Sequence, residues 1–186
     1  MSSSLPRIEF ADLPSPLAAA LEPRVKRLGY LGEFFRCAAH QPRALAAFIE
    51  FTEASQEGLS QRLIEVIALT CTAWMGNAYE RNQHERLCVR LGFGRDWVAA
   101  VNALKPEISP LLSAEERSVQ HLTLSVLETQ GKAGGKLFEE TLQSMGARSA
   151  MSILMIIGRY VTHGLIVNTL GLEPPVPSIF EDGFAG

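Results

Sequence analysis

Gln61 to Trp74 is the stretch that most restricts the fold. Leu63, Ile64, Val66, Ile67, Ala68, Leu69, Cys71, Ala73 and Trp74 leave it apolar nearly all round. A helix without a polar face is buried inside a larger body, so other helices must enclose this one. Glu65 stands in the middle of the run. A carboxylate in apolar surroundings is costly to ionise unless it is paired. Arg62, three positions earlier, offers a plain ion-pair partner.

A second helix is expected from about Asn77 to Leu91, with Gly92 as its stop. Glu80 and His84 are four apart and share a face, which Leu87, Cys88 and Leu91 continue inward. The opposite side carries Arg81, Asn82, Glu85 and Arg90, the composition of a solvated surface. A buried carboxylate followed by a Glu/His pair is acid–base equipment. Each part also has a structural reading. Asn77 with Glu80 fits a helix cap with its capping-box partner, and a histidine on an apolar face can be a satisfied core residue.

Taken together, Glu65, Asn77, Glu80 and His84 resemble the core of the carboxymuconolactone decarboxylase family, which also contains the alkylhydroperoxidase D-like proteins. Its redox-active branch carries a Glu, then Cys-x-x-Cys, then a His. Glu65 and His84 stand at the Glu and the His, while Asn77 and Glu80 stand where the two cysteines would be. The Ala78-Tyr79-Glu80 run followed by His84 resembles the form found in members without the thiol pair. The resemblance implies an all-α, alkylhydroperoxidase D-like bundle, metal-free and without a cofactor, and a homo-oligomer, trimeric or hexameric. Dithiol peroxide chemistry does not carry over, because the cysteine pair is missing.

Composition narrows the class. The chain has 186 residues, enough for one domain with a sizeable core. Its net charge is −3, and no basic stripe with interleaved aromatics marks a nucleic-acid surface. Cys37, Cys71 and Cys88 are an odd, widely spaced set, which fits a reducing compartment better than a disulfide framework. The N-terminus lacks an apolar signal core, and the apolar runs around 63–75 and 150–157 are too short to span a bilayer. A cytoplasmic protein with a small-molecule substrate, and without nucleic-acid or membrane partners, is expected.

About eight helices are anticipated, with an extended arm over 1–13, a helical domain over 14–172 and a proline-rich tail over 173–186. Pro23 should split the first helical stretch at about Ala20. Ser113 and Glu116 form a capping box ahead of a helix running to about Gln130. Gly146 should stop the next helix, and Gly158 or Gly164 could bend the apolar one after it. Phe34, Phe35 and Phe48 are candidates for pocket lining or plain core. Phe180 and Phe184 give the tail apolar anchors that could lie on a neighbouring subunit.

No GxGxxG, Walker loop, HExxH or GxSxG is present, so dinucleotide, P-loop, zincin and hydrolase chemistry lack support. A metal on Glu65, Glu80 and His84 remains conceivable. The leading expectation is acid–base catalysis on a small carbonyl or lactone-type acid by decarboxylation, isomerisation or elimination. In it His84 shuttles the proton, Glu80 orients it or acts as a second acid, and a buried neutral Glu65 donates to a developing enolate. Asn77, Tyr79, Tyr160 and His163 are candidate substrate contacts, Tyr160 and His163 being three apart on one helix. An unspecified arginine would hold the substrate anion. Thiol-dependent hydroperoxide reduction and a non-catalytic oligomeric ligand-binding protein are the alternatives.

Overall fold

The computed structural model describes residues 4–181 and Phe184. Among them are eight α-helices and no strand. In order these are α1 (Ser15–Leu28), α2 (Glu33–Ala38), α3 (Pro42–Ala54), α4 (Gln61–Trp74), α5 (Ala78–Arg90), α6 (Arg95–Asn102), α7 (Ala114–Thr129) and α8 (Gly135–Leu170). Short 3-10 turns occupy Phe10–Asp12 and Pro106–Ile108. The all-α expectation holds.

The apolar circumference of α4 dictates the arrangement. Val66, Ile67, Ala68, Leu69 and Cys71 are fully buried, because α5, α6, α7 and α8 all pack around that helix. Val98 and Val101 of α6, Val119 and Leu122 of α7 and Ile153 and Ile156 of α8 close the same core. A second core joins α1, α2, α3 and the end of α8 through Leu17, Leu21, Phe34, Leu45, Ile49 and Val167. The two cores meet along α8, and the ionisable residues lie at that seam.

Ser60 caps α4 by accepting from the Leu63 N–H. Several local expectations hold. Ser113 and Glu116 complete the capping box of α7. Gly146 interrupts α8 with φ 81° and ψ 165°, a conformation open to glycine and strained for other residues. Gly158 and Gly164 keep helical backbone angles.

Four expectations are corrected. Pro23 does not split α1, which is continuous. Ala19 and Pro23 lie on its exposed side, so the carbonyl that loses its donor faces water, while Leu17 and Leu21 anchor the helix. Arg62 pairs with Glu116 of α7 instead of Glu65. Asn82 and Glu85 are buried, not solvated, whereas Leu91 is exposed. Their cover is the C-terminal tail of the same chain: Asn82 donates to the Val176 carbonyl, and Glu85 accepts from Ser178 Oγ and the Ile179 N–H. Ile179 is fully buried there, so this part of the tail is used within its own chain.

Helix α8 is long and apolar enough to cross a membrane by length and composition, but half of its most apolar window is buried by the other helices. That is the profile of a core helix.

Candidate active site

Three helices bring the ionisable side chains together. The buried face of α4 supplies Glu65, α5 supplies Glu80 and His84 one turn apart, and α8 supplies Arg159, Tyr160 and His163. Glu65 is 1% exposed and has three donors around it. Gln61 Nε2 donates to its Oε1 at 2.8 Å, while the Cys88 thiol reaches Oε2 at 3.6 Å. His84 Nδ1 lies 2.7 Å from the same Oε2. The geometry therefore gives Glu65 the acceptor's part and not that of a donor to substrate.

On the far side of the ring, His84 Nε2 is 3.0 Å from the Tyr160 hydroxyl and 3.6 Å from Glu80 Oε2. Burial works against a charged imidazole, but the adjoining carboxylates of Glu65 and Glu80 outweigh it and push the His84 pKa up to about 10. At neutral pH the ring is thus an imidazolium. Both its nitrogens donate, one to Glu65 and the other to Tyr160. The hydroxyl proton of Tyr160 is then left for another acceptor, and burial holds that phenol protonated well above its usual range.

Glu80 is the second pole. Its part in a capping box is only half realised: Asn77 Oδ1 accepts from the Glu80 N–H, but the Asn77 N–H goes to the Thr72 carbonyl. Relieved of the cap, the carboxylate turns to α8. It accepts from Arg159 Nη1 at 2.9 Å and lies 3.3 Å from His163 Nε2. Burial would raise its pKa, yet His163, Arg159 and His84 together hold it well below the usual carboxylate range. For His163, burial first and then the positive charges of Arg159 and His84 overcome the pull of Glu80, lowering it to about 4. A neutral His163 that donates from Nε2 leaves Nδ1 an acceptor, and that atom is buried without a partner among the described residues.

Of the residues anticipated, Glu65, Glu80, His84, Tyr160 and His163 converge in this cluster. Asn77 sits beside it as the cap of α5, 1% exposed, with its Nδ2 unpartnered. Tyr79 adjoins the cluster through its ring, 6.1 Å from that of His163, while its hydroxyl accepts from the Phe34 N–H at 3.2 Å. Arg159 and Gln61 escaped the sequence reading. The signal for Arg159 was present: it is the one charged residue between Ala150 and Leu170. Gln61 showed no signal beyond its place one turn before Glu65.

All three cysteines are free and buried, and burial raises each thiol pKa. No group of three His, Cys, Asp or Glu side chains among the described residues is arranged to hold a metal ion. His84 commits both nitrogens, and Arg159 occupies Glu80.

No family model and no curated protein matches the sequence. Solved structures do match the fold. The debrominase Bmp8, as a cysteine-to-alanine variant in complex with 2,3,4-tribromopyrrole, superposes with a TM-score of 0.78 at 16% identity, covering 93% of this chain and 92% of that one. An alkylhydroperoxidase AhpD core protein from Ralstonia eutropha, an uncharacterised peroxidase-related protein, gives 0.73 at 23% identity over 94% and 93%. A putative AhpD antioxidant defence protein from Agrobacterium tumefaciens gives 0.68 at 21% identity over 75% and 96%. The AhpD-like fold implied by the resemblance of residues 65–84 is therefore present.

Proposed function

We propose that the chain is a cofactor-free acid–base enzyme acting on a small carbonyl or lactone-type acid by decarboxylation, isomerisation or elimination. The observation that carries this reading is the unbroken hydrogen-bonded line from Glu65 through both nitrogens of His84 to the Tyr160 hydroxyl. As negative charge develops on a substrate oxygen, Tyr160 gives up its hydroxyl proton to it. His84 Nε2 returns a proton to the phenol oxygen, and Glu65 steadies the ring through Nδ1. Reversing these transfers takes a proton from the product and restores the line. The donors are fixed before the substrate arrives, so little reorganisation accompanies the charge shift. Glu65, and after it Glu80, keeps His84 cationic and thus charged for donation.

Thiol-dependent peroxide reduction fits less well, since it requires an accessible thiol of lowered pKa and burial raises all three here. One observation favours the non-catalytic reading: neither of the two cavities described is lined by Glu65, His84 or Tyr160. Reactants would reach the cluster only through its residual openings, where His84 is 17%, Glu80 12% and Arg159 11% exposed.

The test is a screen of small lactones and keto acids with the wild type, His84→Ala and Tyr160→Phe. Turnover that falls roughly a hundredfold or more in both variants is expected for general acid–base catalysis. Turnover that survives both substitutions would sink the proposal. Ligand binding by wild type and His84→Ala alike, with no turnover, would favour the binding protein.

A further inference from the structure

A cavity of about 310 Å³ lies in the second core, walled by α2, α3 and α8. Leu5, from the segment ahead of the first 3-10 turn, adds a further wall. That segment is tied down beside α2. The Ile8 N–H donates to the Arg36 carbonyl at 3.1 Å, and His40 Nε2 lies 2.8 Å from the Pro6 carbonyl. An apolar cavity of ~150 Å³ holds a benzene molecule, so twice that volume suits an occupant of about ten heavy atoms.

The walls set the chemistry of what can enter. Phe34, Leu45, Phe48 and Ile166 make them largely carbon, and no Asp, Glu, Lys or Arg is among them. An ionised ligand would lose its water there without gaining a counter-charge. The polar walls are His40, already bonded to Pro6, the Gln41 carboxamide, the Cys37 thiol and the Thr162 hydroxyl. Thr162 is distinctive. Thr52, Thr70, Thr72, Thr123, Thr129 and Thr141 each turn the hydroxyl back on the carbonyl four residues earlier. Thr162 makes no hydrogen bond among the described residues, so its hydroxyl is available to an occupant.

We propose that this cavity binds a neutral, predominantly apolar molecule with one hydroxyl or carbonyl oxygen, its hydrocarbon part against Phe34, Leu45 and Ile166 and its oxygen at Thr162. The site is distinct from the acid–base cluster. The Phe34 ring lies 4.0 Å from that of His163, and the Arg159 guanidinium lies 5.6 Å over the Phe48 ring, so these two aromatic walls back the cluster while lining the cavity. The occupant is accordingly not the substrate of the proton relay, and the inference stands whether or not that relay turns over.

The test is calorimetric titration of the full chain with 1-octanol and with its charged counterpart octanoate. Octanol should bind at least tenfold more tightly than octanoate. Ala44→Trp, at an exposed position of α3 on the cavity wall, should weaken octanol at least tenfold with an unaltered circular dichroism spectrum. Thr162→Val, which removes the hydroxyl at nearly constant volume, should weaken octanol at least threefold. A second measurement locates the ligand. Cys37 is the cysteine on the cavity wall, so octanol should slow its alkylation by N-ethylmaleimide at least threefold, as read by mass spectrometry. Equal or tighter binding of octanoate would overturn the proposal, as would wild-type-like octanol binding by Ala44→Trp or Thr162→Val. Unprotected Cys37, or absence of octanol binding by the wild type, as when a second copy covers the cavity, would overturn it too.

Discussion

Tyr160, His84 and Glu65 owe their chemistry to each other, and Glu65 together with Glu80 sets the pH at which that chemistry would stop. A donor role for His84 requires the imidazolium, which its carboxylate neighbours preserve up to about pH 10. The rate of the proposed reaction should therefore persist through neutral pH and fall as the pH climbs through about 10. Glu80→Gln removes one of the charges that raise the ring's pKa. The alkaline limb of the rate profile should consequently move to lower pH in that variant, which a pH–kcat/KM series would show. An alkaline limb that stays in place would mean another group controls it. The same substitution strips Arg159 of its buried counter-ion, so the profile is best read alongside a stability measurement.

At the scale of elements, α5 is the most instructive. Its sequence looks solvated on one side, yet Asn82 and Glu85 are 3% and 1% exposed because residues 176–179 lie over them. Glu85 gathers Asn102 Nδ2, Ser178 Oγ and the Ile179 N–H, joining α5, α6 and the tail. Buried donors that lose their acceptor cost about 1–3 kcal/mol each, less where water can enter. Glu85→Ala should accordingly lower stability by roughly 2 kcal/mol and expose the Ile179 amide to hydrogen exchange, while leaving α4 protected. Unchanged protection at Ile179 would show that its burial, and not Glu85, holds the tail.

For the whole molecule, the cluster at the seam of the two cores makes stability depend on pH in both directions. His84 moves from 6.5 to about 10 on folding, so its contribution is full below about 6.5 and is lost as the pH rises through about 10. Glu80 lies well below its ordinary 4.5, so its contribution is present above that value and fades as the pH falls. His163 drops from 6.5 to about 4, so the unfolded chain gains a proton first and stability declines across that interval on acidification. A melting temperature that peaks near neutrality and falls on both sides is expected. His163→Asn should flatten the limb between pH 4 and 6.5 and spare the alkaline one. Each titrating group contributes at most ~1.4 kcal/mol per pH unit.

Assembly belongs to this scale as well. Met151, Met155 and Leu165 are 45%, 46% and 58% exposed along α8, a row of apolar side chains with water on one side. We propose that this row meets a second copy of the chain. Light scattering should show the wild type as an oligomer and a Met151→Glu/Met155→Glu variant in a smaller state with the same helical content. A monomeric wild type would refute the seam.

The apolar circumference of α4 determined by itself that helices must enclose it, and the i, i+4 spacing of Glu80 and His84 determined that they share a face. Caps at Ser60, Asn77 and Ser113 and the break at Gly146 were equally local, because each depends on neighbours within a turn. The partners of those residues were not local. Whether Glu65 would meet Arg62, one turn away, or His84, on another helix, depends on which face of α4 turns towards α5. Likewise Glu80 leaves its cap for Arg159, and the tail conceals Glu85, only once α8 and residues 176–179 have been brought in from far along the chain. Helical periodicity fixes neighbours within a few residues, whereas the meeting of distant side chains depends on how the two cores pack, and tertiary structure alone decides that.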